Sequence, residues 1–120
     1  MDIETSRSGN ITVVGIRGSV DGLTADDLMR SLSDRVSEGS VHLVADCSAL
    51  DYTSSAGLRS LLGAVKLARQ HGGDLRLAAI QAPVLRVLDL SGFTSILKLY
   101  PDVQSAVVSY AEQGEGARPS

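Results

Sequence analysis

The hydrophobic positions of this chain switch between a period of two and a period near 3.6, and the switches mark its elements. Ile11-Thr12-Val13-Val14-Gly15-Ile16 is short and β-branched. It follows a Ser8-Gly9-Asn10 cluster that predicts a turn out of a first strand near Ile3 to Ser6. Leu28, Leu32 and Val36 then recur at helical spacing, with Asp26, Arg30, Asp34 and Arg35 between them. Thr24, three residues before Asp27, reads as a capping box at the start of this helix, and Gly39 ends it. Val41 to Ala45 is apolar apart from His42 and short enough to be a strand buried on both faces, as in parallel sheets. After a polar loop, Leu58, Leu61, Leu62, Val65 and Ala68 follow the i, i+3, i+4, i+7 pattern, which predicts a helix from Ser55 to His71 stopped by Gly72-Gly73. Leu75 to Ile80 reads as the next strand. Pro83 and Gly92 bracket a helix over Ala82 to Ser91. Ile96 to Tyr100 is a short last strand, and Pro101 opens a helix in which Val103, Ala106, Val107 and Tyr110 share a face. Alternation of this kind implies an α/β fold with helices packed on a mixed sheet. Residues 1–112 form one domain in this reading, and 113–120 have the composition of a flexible tail.

Composition narrows the functions open to such a fold. The 120 residues suffice for one core that buries roughly 60–70% of the unfolded surface, so no disulfide or metal is needed for stability. With 3 Tyr, 1 Phe and no Trp there are few rings on which bases could stack. Lys and Arg number 11 against 14 Asp and Glu, a net charge of −3 without a basic run, so nucleic acid is not an expected partner. Cys47 is the sole cysteine and His42 and His71 stand far apart, which removes any zinc spacing and points to a reducing compartment. Asp46 and Asp51 lack a third ligand, so no metal is expected. The longest unbroken apolar run is Leu77 to Ile80, and the chain starts Met1-Asp2-Ile3-Glu4. Neither a membrane span nor a leader is expected, and the location implied is cytoplasmic.

The chemistry concentrates in one segment, Thr53-Ser54-Ser55-Ala56-Gly57-Leu58, where a strand and loop lead into a helix with hydroxyls in its first turn. A helix N-terminus offers unpaired N–H groups and partial positive charge, so a phosphate on Ser55 would be stabilised by its own helix. Ala56 and Gly57 are small and leave the hydroxyl approachable. Thr53 stands where a nucleophile elbow Gly-x-Ser-x-Gly needs its first Gly. His71 ends a helix whose far end lies roughly 25 Å from Ser55. The chain is therefore not expected to be an enzyme, and no Gly-x-x-x-x-Gly-Lys-Ser/Thr for nucleotide binding is present. No cofactor is implied.

Four blocks carry a family resemblance: Gly18-Ser19-Val20-Asp21, Asp46-Cys47-Ser48 through Leu58, Gly72-Gly73-Asp74-Leu75, and Leu85 to Gly92. In this order they resemble the STAS domain of bacterial anti-sigma factor antagonists, over nearly the whole chain. The resemblance implies a mixed sheet of four to five strands with about four helices. It implies a regulator of transcription that binds an anti-sigma factor, a serine kinase of the ATPase fold type, and so releases a sigma factor in a partner switch such as a stress response. Phosphorylation by that kinase would turn it off and a serine phosphatase would reset it. Alignment on Gly57 makes Ser55 the phosphoacceptor, with Ser54, which replaces the family's Asp, as its rival. Asp21, Thr53, Ser54, Ser55, Ala56, Gly57, Leu58 and Arg59 become the partner contact. The alternative is a constitutive interaction or scaffold module of the same fold without a phosphoswitch.

Overall fold

The computed structural model describes the backbone of residues 1–117 and the side chains of residues 1–111. Five strands, β1 (Asp2–Ser8), β2 (Ile11–Val20), β3 (His42–Thr53), β4 (Asp74–Ala78) and β5 (Leu99–Tyr100), form one mixed sheet in the order β1-β2-β3-β4-β5. β1 and β2 are an antiparallel hairpin turned at Gly9, whose φ of +63° suits a residue without a Cβ. The remaining pairings are parallel and joined by helical crossovers. The helices are α1 (Ala25–Ser37), α2 (Ser55–Gln70), α3 (Ala82–Ser91) and α4 (Val103–Ala117). The expected α/β architecture is thus observed. α4 continues into the stretch read as a tail, and 118–120 lie outside the described residues.

Strand periodicity sorts the side chains into two cores. Val14, Ile16, Leu43, Ala45, Cys47, Leu75 and Leu77 point to the face covered by α1, α2 and α3, where they meet Leu28, Leu32, Leu58, Leu61, Val65 and Leu88. Their neighbours Ile11, Val13, Val44 and Ala78 point to the other face and pack with Ala106 of α4. β3 and β4 are buried on both sides, which is why Val41 to Ala45 reads as a continuous apolar run.

Two sequence expectations need correction. β3 does not end near Ala45 in a polar loop; it continues as a strand to Thr53. Gly15 pairs with Asp46 and Arg17 with Ala49, then Gly18 with Leu50 and Ser19 with Tyr52, so β3 twice carries one residue more than β2. These bulges break the period-two pattern and make a strand look like a loop. The first is held by the Asp46 carboxylate, which accepts from Ser48 N–H at 3.0 Å, and by Gln81 Nε2, which donates to the Ser48 carbonyl. The second correction concerns Thr24, whose side chain does not cap α1. The cap lies one turn earlier. Asp21 Oδ1 accepts from Leu23 N–H (2.9 Å), Thr24 N–H (3.0 Å) and Thr24 Oγ1 (3.1 Å), while Thr24 Oγ1 accepts from Asp21 N–H at 2.9 Å. The reciprocal pairing of a capping box is present, with Asp21 and Thr24 as its two members.

Candidate functional site

β2 and β3 end side by side. Val20 pairs with Thr53, and Ser54 N–H donates to the Val20 carbonyl at 2.8 Å, so the Asp21 turn after β2 and the start of α2 after β3 occupy the same edge of the sheet. Ser54 is the N-cap of α2. Its backbone is extended (φ −81°, ψ 172°), and its Oγ accepts from Gly57 N–H at 3.1 Å. Ser55 is the first helical residue and is exposed, with its hydroxyl outside any described hydrogen bond. The two serines that the sequence leaves as rivals therefore have different surroundings. One hydroxyl is engaged by the helix it starts, and the other faces solvent beside the first-turn N–H groups.

Packing decides which neighbours are available. Thr53 is buried and its Oγ1 donates to the Ser54 carbonyl at 3.2 Å. Gly57 is buried where α2 meets the strand ends: a Cβ there would stand 2.8 Å from Val20 Cγ1 and collide with Thr53 Oγ1. Its missing side chain serves this close approach, where the sequence reading took it to keep Ser55 open. Leu58, expected in the partner contact, is 2% exposed and belongs to the core, as does Leu61. Of the residues expected in the contact, Asp21, Ser55 and Arg59 are exposed, Ser54 and Ala56 are half-buried, and Thr53, Gly57 and Leu58 lie beneath them. Arg59 follows Ser55 by four residues and so lies one turn along the same face of α2. Ser60, which sequence reasoning missed, is buried and donates to the Ala25 carbonyl at 2.7 Å, tying the site helix to α1.

Asp21 is held charged. Hydrogen bonds from Thr24 and Leu23 place its carboxyl below the ordinary carboxylate range. A folded-state pKa below the unfolded one means that the ionised carboxylate contributes stability above the unfolded pKa, and that this is lost as pH falls through the folded pKa. Asp21→Asn should therefore flatten the acid limb of the stability profile below about pH 4 relative to the parent. Urea titrations at pH 3 and pH 7 read this, and identical acid limbs would show that the turn does not depend on the charge.

The remaining chemistry-bearing groups lie away from Ser55. Cys47 is buried and its thiol is pushed up to about 12, first by burial and then by the Asp46 charge, which leaves it unreactive. His42 is at the far end of β3, edge-on to the Tyr110 ring at a centroid distance of 5.3 Å. His71 caps the far end of α2, its Nδ1 2.9 Å from the Leu67 carbonyl. Among the described residues no three His, Cys, Asp or Glu side chains gather in a way that could hold a metal ion, and no described helix is long and apolar enough to cross a membrane.

A five-stranded mixed sheet with four helices packed on it is the fold of a STAS domain. The STAS domain family matches residues 2–106, and the chain belongs to that family. Relatives within it are named as anti-sigma factor antagonists. BtrV of Bordetella bronchiseptica, so named, is 31% identical over 110 residues, covering 92% of this chain and 95% of the relative. The anti-sigma F factor antagonist of Paenibacillus polymyxa is 28% identical over 108 residues, covering 89% and 92%. The fold is shared with an anti-sigma factor antagonist from Mycobacterium paratuberculosis, at a TM-score of 0.82, 24% identity and 90% and 92% coverage. It is shared too with the phosphorylated form of the Bacillus cell fate determinant SpoIIAA, at a TM-score of 0.70, 14% identity and 91% and 99% coverage.

Proposed function

We propose that this protein is an anti-sigma factor antagonist switched by phosphorylation of Ser55. In its unmodified form it binds an anti-sigma factor of the ATPase-fold serine kinase type and so frees a sigma factor. The observation that carries this reading is the division of labour between the two serines: Ser54 Oγ caps α2, and Ser55, one residue on, presents an exposed hydroxyl. Ser54 also performs at the N-cap what the family's aspartate would, since both side chains accept from first-turn N–H groups. The substitution thus keeps the helix start in place. The relatives named as antagonists support the partner class, and SpoIIAA of Bacillus, which shares the fold, has a phosphorylated form.

Phosphorylation adds about −1.5 to −2 charges at pH 7 to a chain whose net charge is −3. On α2 the phosphate is favoured, because the helix dipole and the first-turn N–H groups face it. In a protein interface the same charge would have to be stripped of water, which is costly unless cations meet it, so the phosphoprotein leaves its partner. The antagonist supplies a hydroxyl and a helix end. The kinase and a serine phosphatase supply the catalysis.

Ser55→Asp should weaken binding to the anti-sigma factor about tenfold or more, while Ser55→Ala keeps it. Calorimetric titration of both variants, with phosphopeptide mapping after incubation with the kinase and ATP, tests the switch. Equal affinities, or a phosphate found only on Ser54, would refute it.

A further inference from the structure

On a helix, the residues three and four positions away are the side-chain neighbours. For Arg59 on α2 these are Ser55, Ala56, Leu62 and Gly63, and among them only Ser55 carries a polar side chain. Arg59 is exposed, and among the described residues its guanidinium has no ion pair and no hydrogen bond. The arginines of α1 are placed differently. Arg30 pairs with Asp27 at 3.3 Å and Arg35 with Glu38 at 3.1 Å, each partner three residues away. The first turn of α2 holds no acidic residue. A cation thus stands near the start of this helix with no anion of the helix to meet it, unless one is made there.

Ser55 is where one would be made. Side chains on a helix lean toward its N-terminus, so that of Arg59 covers the turn before its own Cα, the turn that Ser55 begins. Residues at i and i+4 have Cβ atoms about 5–6 Å apart, within the span of a phosphate and a guanidinium, and an anion N-terminal to the cation is the favourable order. The planar fork of arginine also meets phosphate oxygens two at a time. Resting on the reading of Ser55 as the phosphoacceptor, we infer that Arg59 binds the phosphate on Ser55 and holds it over the first turn of α2. Phosphorylation then changes the surface in two ways. It adds an anion, since one guanidinium offsets only one of about −1.5 to −2 charges, and it engages the cation that unmodified α2 leaves in water.

The test places phosphoserine at position 55 during synthesis of the full chain, so that no kinase is needed, and follows its second ionisation by phosphorus NMR over about pH 4.5 to 8. The chains compared are the parent, Arg59→Gln, Arg59→Lys and Lys66→Gln. The last removes an exposed cation of α2 that lies about 16 Å farther along the axis than Ser55. The helix N–H groups, and the Asp21 carboxylate at the same sheet edge, are common to all four, so differences between them read the exchanged cation. A cation bonded to the phosphate favours its dianion. The parent should therefore ionise about 0.3 pH unit below Arg59→Gln, with Arg59→Lys between them and Lys66→Gln level with the parent. An Arg59→Gln chain within about 0.1 pH unit of the parent, or an equal rise in Lys66→Gln, overturns the inference, because the helix alone or net charge would then account for the phosphate's behaviour. The functional reading is judged separately, by titrating the phosphorylated parent with the purified ATPase-fold anti-sigma factors of the same genome. Binding as tight as that of the unmodified chain refutes that reading, whatever the NMR result for Arg59.

Discussion

Asp74→Ala is expected to lower folding stability by about 3–5 kcal/mol, the cost of stranding a buried charge. The carboxylate at the start of β4 is 5% exposed. It accepts from Arg69 Nε at 2.9 Å, Arg76 Nε at 3.1 Å and Leu75 N–H at 2.9 Å, with Lys98 Nζ at 3.9 Å. Arg69 and Lys98 are partly exposed and can turn to water. Arg76 is 1% exposed and cannot. Its guanidinium also donates to Ser109 Oγ at 2.7 Å and lies 4.0 Å over the Tyr110 ring, so the stranded charge would sit under α4. Tyr110 belongs to the same cluster: its hydroxyl oxygen lies 2.6 Å from the Leu43 carbonyl and 2.7 Å from the Asp74 carbonyl, and its one proton is donated between these two acceptors. Burial first, then the Asp74 charge, pushes the phenol above its ordinary range. Urea unfolding should show a lower midpoint at unchanged slope. Replacing the pair together, as Asp74→Leu with Arg76→Met, should recover part of the loss, because no lone charge remains. An Asp74→Ala protein within about 1 kcal/mol of the parent would mean that Ser109 and Tyr110 alone compensate Arg76.

Gly57→Ala tests the packing that holds Ser55 in place, and two effects oppose each other there. Alanine improves helix propensity by about 1 kcal/mol over glycine. Against this, the added Cβ would lie 2.8 Å from Val20 Cγ1 and 3.2 Å from Val20 Cβ, and would collide with Thr53 Oγ1. Overpacking of this kind costs about 1–3 kcal/mol. We expect the clash to win, with a net loss of up to about 2 kcal/mol and with α2 displaced from the ends of β2 and β3. Binding to the anti-sigma factor proposed above should weaken together with stability, although residue 57 is itself buried. A Gly57→Ala protein more stable than the parent would show that glycine is not required by packing at this position.

Reading the sequence succeeds where burial on one face leaves a regular trace. α2 and α3 follow from apolar spacing and end residues: Gly72 takes the left-handed φ of +87° expected of a C-terminal cap, and Pro83 and Gly92 bracket α3 as read. The extent of β3 was illegible because its bulges disrupt the alternation that reveals a strand. Helix periodicity suggests a cap for α1 at Thr24, whereas the capping pair lies in a turn that carries no periodicity. Nothing in the sequence marks Asp74 and Arg76 as a buried pair. They read as ordinary polar residues flanking and interrupting an apolar strand, and only the arrival of α4 on that face encloses them.

At the site, local sequence was enough to put a pair of serines at a helix start, because capping preference and apolar periodicity are short-range properties that survive without the rest of the fold. It could not say which serine is free or which neighbours are accessible. Those depend on contacts between residues far apart in the chain: Val20 against Gly57, Ser60 against Ala25, and the packing that buries Leu58 while leaving Ser55 and Arg59 in water. The periodicity of one helix specifies a buried face, but what covers that face, and what stays uncovered beside it, is decided by the other elements of the sheet and helices around it.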